Sequence, residues 1–484
     1  MSTFPSIIQG GMGVGISNWQ LAAAVSGRGQ LGVVSGTGIS HLLTARLQDG
    51  DPLERMRQAL AAFPFAEPVR GVLDRYFVPG GRQEGTPYVA HPMYTIKPAR
   101  FLDRLTALGN FVEIHLAKRG HGNPVGLNLL EKIQMPTAAS LYGAMLAGVD
   151  YVLMGAGIPT QIAGLLDRLA RHEPVEYRLD VAGGNATIAF DPERVFPGAR
   201  ERLGPLKRPK FIPIVSSVVL AQALLKRSEG EIHGFIVERP TAGGHNAPPR
   251  GKLTLSEAGE PIYGPKDDVD LAGMRALGKP FWLAGGFGRP GGLAEAMAEG
   301  AAGIQVGTAF ALCEESGMEP TLKAATLEWI SNQPTGVVHT SPVTSPTGFP
   351  FKVVDLPATM SRPDVYAERP RLCDVGLLRT LSVTEDGRME YRCPAEPVDD
   401  YARKGGVTDD TAGRTCLCNN LLATGGMAKP RKDGYVEAPI VTLGDETRFI
   451  GDFQKPGSLS YSALDVLDVL SANADCAPAS HPSV

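Results

Sequence analysis

The chain has 484 residues, 43% of them hydrophobic, which is enough for a large core. Its 47 Lys+Arg against 51 Asp+Glu give a formal net charge of −4 with no basic block, so nothing points to a nucleic-acid partner. No run approaches the roughly 18 apolar residues of a membrane span, the opening MSTFPSIIQGG lacks a secretory pattern, and six cysteines in so long a chain do not read as a disulfide framework; a cytoplasmic protein with no membrane partner is expected.

Short apolar runs recur along the chain, each followed by Gly or Ser and a helix-like segment. They are SIIQGGMG (6–13), LGVVSG (31–36), PVGLNLL (124–130), YVLMGAG (151–157), FIPIVSS (211–217), GFIVERP (234–240), PFWLAGG (280–286) and GIQVGTA (303–309). Each is too short for a helix, and they are apolar throughout rather than alternating, as strands buried on both faces are. AASLYGAMLAGVD and GGLAEAMAEGA between them have helical spacing. Eight strand–helix units predict an α/β fold, a (β/α)8 TIM barrel over residues 1–330, with a doubly wound open sheet as runner-up. GRGQLG (27–32) matches G-x-G-x-x-G but follows a helix and leads into a strand, the reverse of a dinucleotide-binding site.

Two stretches exceed the barrel's needs. Residues 49–110, after the second strand, predict a loop over or beside the barrel mouth, and 176–210 alternate like a hairpin. Residues 331–484 lose the βα rhythm and predict an irregular extension packing on the barrel, with a helix in SLSYSALDVLDVL (458–470) and a frayed tail, SANADCAPASHPSV. In this extension Cys373, Cys393, Cys416 and Cys418 fall within 46 residues. One C-x-C pair with gaps of 19 and 22 is poor zinc-knuckle spacing, so free cysteines are the preferred reading. A four-thiolate zinc site or an iron–sulfur cluster is the alternative.

A ligand should sit at the C-terminal ends of the strands. The loops there are glycine-rich: Gly10-Gly11-Met12-Gly13, Gly243-Gly244, Gly285-Gly286 and Gly307-Thr308. The last two follow strands seven and eight, where such barrels commonly hold phosphate on backbone N–H groups, and Thr308 adds a hydroxyl. Turn-making glycines are the plainer explanation, but both adjacent loops carry the pattern. Behind Gly243-Gly244 stands His245, able to exchange a proton near neutral pH.

Four ordered motifs, IIQGGMGVGISNWQLAAAVSGRGQLGVVSG, AGGHN, WLAGGFG and GIQVGTAF, resemble the nitronate monooxygenase (2-nitropropane dioxygenase) family. That family includes FMN-dependent enoyl-acyl-carrier-protein reductases and the enoyl reductases acting in trans on polyketide and polyunsaturated fatty acid synthases. The resemblance, over residues 5 to about 350, implies a TIM barrel holding FMN. It places Gly11, Met12 and Gly13 along the ring, and Asn128, Ser216 and Gly244, with Gly243 beside it, at ring or ribityl chain. Gly285, Gly286, Gln305, Gly307 and Thr308 would hold ribityl and phosphate, and His245 matches the active-site histidine. His339 lies in a segment similar to one near the family's substrate pocket. The implied activity is oxidation of nitronates or nitroalkanes with oxygen, His245 moving the proton. The alternative is an enoyl reductase using NAD(P)H on enoyl thioesters, and a third class is a non-catalytic flavin- or partner-binding module. The NAPPRG turn after His245, the long insertion and the long extension depart from the family's plainer members and lean towards a larger or specialised substrate. The expected partner is a small-molecule substrate or an acyl thioester, and a homodimer is compatible with everything above.

Overall fold

A computed structural model describes residues 4–431 and 433–472; from residue 473 on, the stretch read as a frayed tail lies outside the described residues. Eight parallel strands run Ile7–Gln9, Gly32–Ser35, Val125–Leu130, Tyr151–Gly155, Lys210–Val215, Phe235–Glu238, Phe281–Ala284 and Gly303–Val306, each hydrogen-bonded to its neighbour in chain order. The first strand also pairs with the eighth, Ile7 opposite Ile304. Closure comes at Ile8 and Leu31: the Gln9 N–H donates to the Leu31 carbonyl (2.9 Å) and the Leu31 N–H to that of Ile7 (3.0 Å). The sheet is therefore a (β/α)8 barrel.

The strands are apolar on both faces because both faces are covered. Ile8, Val33, Leu153, Ile212, Ile236 and Trp282 fill the barrel interior, while Ile7, Val34, Val152, Phe211, Val237 and Leu283 pack against the outer helices. Each such burial contributes about 1.5–3 kcal/mol before the entropy of ordering the chain is counted. Trp282 is fully buried, and its indole N–H donates to the Pro5 carbonyl (2.8 Å), closing the end opposite the strand C-termini. Polar side chains start the helices. Asn18, Ser217 and Asp270 each accept a backbone N–H three residues on, opening Trp19–Gly27, Val218–Arg227 and Leu271–Ala276.

The insertion is more ordered than a loop. It holds helices Arg55–Ala61 and Ala66–Tyr76 and the first half of Arg100–Ala117, and these pack together on the barrel's flank. The stretch between them docks on the extension: the Ile96 N–H donates to the Tyr391 hydroxyl (2.9 Å), and Arg379 to the Tyr94 carbonyl (2.6 Å). The alternating segment forms a hairpin, Val175–Leu179 against Ala186–Phe190. Among the described residues no helix is long and apolar enough to cross a membrane.

Short elements joined by polar contacts make the extension. Strands Val338–Ser341 and Phe351–Val354 pair antiparallel, as do Thr380–Val383 and Met389–Arg392. Helix Ala463–Ser471, started by a reciprocal Ser462–Asp465 cap, lies against Trp19–Gly27. Arg369 grips Glu437 with two hydrogen bonds of 2.8 and 3.0 Å, with side chains only 4% and 0% exposed.

Candidate functional site

A cavity of about 230 Å³ opens at the C-terminal ends of the barrel strands. Gly11, Met12, Gly13, Asn128, Gly243, Gly244, His245, Gly285, Gly286, Gln305, Gly307 and Thr308 all line it, so the fold gathers twelve positions read from the sequence. Ser216 does not line it; its carbonyl accepts from Arg250 (2.7 Å) as the chain turns into the helix that Ser217 caps. His339 sits on a strand opposite Val353, also away from the cavity.

The first loop is held from within: the Ser17 hydroxyl accepts from the Met12 N–H (2.9 Å) and donates to the Gly10 carbonyl (2.9 Å). At the loop after strand seven, Gly285 and Gly286 have φ of +88° and +86°, the left-handed region that side chains resist. A Cβ on Gly285 would stand 2.8 Å from the Thr241 hydroxyl.

The loop carrying His245 is stitched to the extension. The Gly244 N–H donates to the Thr442 hydroxyl (2.9 Å), and the Gly244 carbonyl accepts from the Lys352 N–H (2.9 Å). A Cβ on Gly243 would come within 2.8 Å of the Leu443 carbonyl carbon, so close passage of the extension's backbone demands this glycine. Gly244, at φ +81°, has open space where a Cβ would be. Thr308 serves the same junction, its hydroxyl accepting from the Gly444 N–H (2.8 Å) while its own proton stays free to donate.

The His245 Nε2 lies 2.7 Å from the Ser345 hydroxyl, which in turn lies 2.8 Å from that of Thr347. Its ring meets Phe351 edge-on at 4.8 Å, and Nδ1 has no hydrogen-bond partner among the described residues. Burial lowers its pKa to about 4, so the imidazole is neutral at neutral pH. Glu238, at the end of strand six, also borders the cavity. Burial alone lifts its carboxyl to about 8. It is a neutral acid at pH 7, a group with a proton to donate.

The lining fits a flavin. Asn128 Oδ1, Gln305 Oε1 and Thr241 Oγ1 are buried and have no partner. Leaving such atoms unpaired is costly, and the N–H and hydroxyl groups of a flavin ring and ribityl chain are suitable donors. The glycine-walled loops after strands seven and eight leave backbone open for a phosphate.

Sequence reading missed Glu238, Ser345 and the wall formed by Thr442, Leu443 and Gly444. A charge at the C-terminal end of an apolar barrel strand is a signal that could have exposed Glu238. For residues 442–444 there was none, because their place depends on contacts nearly 200 positions away.

Residues 187–343, roughly a third of the chain, match the family described as "Nitronate monooxygenase". This segment holds strands five to eight and the His245 loop. No match is found among curated proteins. Similar solved structures include FabK from Thermotoga maritima, at 15% identity and TM-score 0.48, covering 97% of this chain and 93% of that one. A nitroalkane oxidase from Streptomyces ansochromogenes gives 16% and 0.46, covering 98% and 96%. The enoyl reductase domain of MlnA from the macrolactin cluster of Bacillus amyloliquefaciens gives 12% and 0.45, also covering 98% and 96%.

Proposed function

From the nitronate monooxygenase segment and the cavity it helps to build, we propose that the protein is an FMN-dependent enzyme that oxidises nitronates or nitroalkanes with oxygen. The observation that carries this reading is the convergence of the His245 loop, the glycine loops after strands seven and eight, and three unpartnered polar atoms on one cavity. FMN, when bound, supplies the electron-accepting chemistry and passes the electrons to oxygen. Asn128, Thr241 and Gln305 would hold its ring and ribityl chain, and Gly285, Gly286, Gly307 and Thr308 its phosphate.

His245 would sit beside the substrate. Held neutral by burial, it is a weaker base than an ordinary histidine, so its stronger roles are to hydrogen-bond an already anionic nitronate and to orient it. Glu238 as a neutral acid adds no negative charge to repel such an anion. The Ser345–Thr347 pair would fix the imidazole.

Enoyl reduction with NAD(P)H is the second reading. A small side cavity of about 30 Å³ joins the main one at Thr37, Leu129 and Leu130 and is lined both by Ile133, Met135 and Leu377 and by His41, His91, Thr106 and Ser140.

The test is anaerobic rapid mixing of the FMN-loaded protein with propionate 3-nitronate, 2-nitropropane, NADH and NADPH in separate experiments. Bleaching of the flavin by a nitro compound supports the proposal. Bleaching by a nicotinamide alone sinks it in favour of the reductase, and failure to take up FMN sinks both.

A further inference from the structure

The side cavity is built by all three parts of the chain. The barrel supplies the start of helix Ile39–Gln48, with His41, and the start of helix Thr137–Leu146. The insertion supplies His91 and Tyr94, and the extension Val375 and Leu377. The stretches that exceed a bare barrel therefore meet beside the main cavity, which the side cavity joins at Thr37, Leu129 and Leu130.

The imidazoles of His41 and His91 lie against each other, ring centroids 3.9 Å apart and planes tilted by 36°. His91 is only 9% exposed, and its Nδ1 lies 3.2 Å from the Pro92 carbonyl. A carbonyl only accepts, so Nδ1 carries the proton and Nε2 of the neutral ring presents a lone pair. That Nε2 is buried without a partner, as is Nε2 of His41. Leaving such an acceptor unpaired is costly. Burial holds both rings below the ordinary histidine pKa, His91 at about 4, and among the described residues no Asp or Glu lines the cavity.

Donors border the same space. Both helices have 10 residues, and no side chain caps either N-terminus. The first N–H groups of a helix lack intrahelical partners and lie at the positive end of its dipole. Those of Ile39 and Ser40 make no hydrogen bond among the described residues. An unpaired acceptor beside unspent donors calls for a group that both donates and accepts. A hydroxyl does both, whereas a carboxylate cannot donate to the imidazole and an alkyl group does neither. At about 30 Å³ the cavity holds roughly two water-sized groups, the bulk of a hydroxymethyl end.

We propose that this cavity is the subsite for a hydroxyl group carried on the substrate's chain away from the reacting carbon. The hydroxyl donates to His91 Nε2, and its oxygen accepts from the start of helix Ile39–Gln48. The substrates are then nitroalkanes or nitronates with a terminal hydroxyl. Their nitro end rests on the oxidation proposed above, whereas the hydroxyl subsite is independent of it.

The test sets terminal nitro alcohols of rising length against nitro compounds of matching length that end in a methyl or a carboxylate. Anaerobic calorimetry on the protein with its flavin already reduced, or on the apoprotein if no flavin binds, gives dissociation constants without turnover. Expected at the best-fitting length is binding of the alcohol about tenfold tighter than of either counterpart. In His91→Phe, which keeps a flat ring against His41 but no acceptor, that preference should vanish. If His91→Phe fails to fold, the wild-type series alone decides. Equal binding across the three end groups, tighter binding of the alkyl chain, no binding at all, or a preference that survives in His91→Phe overturns the proposal. A carboxylate that binds best overturns it in favour of an anion site at the helix starts. Flavin bleaching by the same compounds is read separately. An alcohol preference without bleaching sinks the oxidation reading and leaves the subsite standing, and bleaching without the preference does the reverse.

Discussion

The barrel and the extension are stabilised by different physics. Inside the barrel the contacts are apolar, with Ile8, Val33, Ile212 and Trp282 filling its centre. In the extension, buried charges join distant loops. Arg369 and Arg431 both grip Glu437, and Arg431 and Lys429 hold Asp374 near a pKa of about 2 against the upward push of burial. Apolar packing tolerates small shifts, whereas a buried ion pair tolerates the loss of neither partner. The barrel should therefore survive damage that undoes the extension. Arg369→Leu should cost about 3 kcal/mol, the low end for a broken buried pair because Arg431 remains on Glu437. Urea unfolding measures that loss. Hydrogen exchange should rise over residues 365–440 while the barrel strands stay protected; equal loss in both would break the comparison.

The same contrast explains what the sequence could reveal. A strand buried on both faces writes itself as an unbroken apolar run, so all eight strands and their glycine loops were legible. A hydrogen bond between Gly244 and Thr442, 198 positions apart, leaves no local trace. Gly243 was read as making room for a cofactor, yet the backbone of Leu443 is what crowds it. The family resemblance implies Ser216 at the flavin, yet it does not line the cavity, because sequence does not give the phase at which a strand leaves the barrel. Here its neighbour Ser217 opens the next helix. The cysteines are legible as neighbours along the chain, but the burial of Cys393, Cys416 and Cys418 in one apolar cluster is not.

The barrel has its own buried charge risk in Glu238. Its native pKa of about 8 is raised above the ordinary carboxyl value, so the native state binds this proton more tightly than the unfolded chain does. That stabilisation is complete below about pH 4.5 and drains away as pH rises to about 8, at no more than about 1.4 kcal/mol per unit. Wild-type melting temperature should fall from pH 6 to pH 8, and Glu238→Gln should flatten the fall. Parallel curves for the two proteins would show that Glu238 titrates normally and that the cavity is wetter than its lining implies. His245 works in the opposite window. Its pKa is depressed, so its contribution is present above about 6.5 and lost as pH falls towards 4, leaving the alkaline limb to Glu238.

The smallest expected effect tests the seam where the two regions meet. Ser345 belongs to the extension and His245 to the barrel, and their 2.7 Å contact is the route by which one could tune the other. If Ser345 only positions the imidazole, Ser345→Ala loses one neutral hydrogen bond, about 1 kcal/mol, or roughly fivefold in turnover. His245→Ala should lose about 100-fold. The double variant should then be no slower than His245→Ala alone, since a residue acting through another has nothing left to act on. FMN affinity should stay the same in all three, as neither side chain is among those assigned to hold the cofactor. Multiplying losses in the double variant would mean that Ser345 reaches the substrate independently, and the extension would then supply part of the reacting site itself.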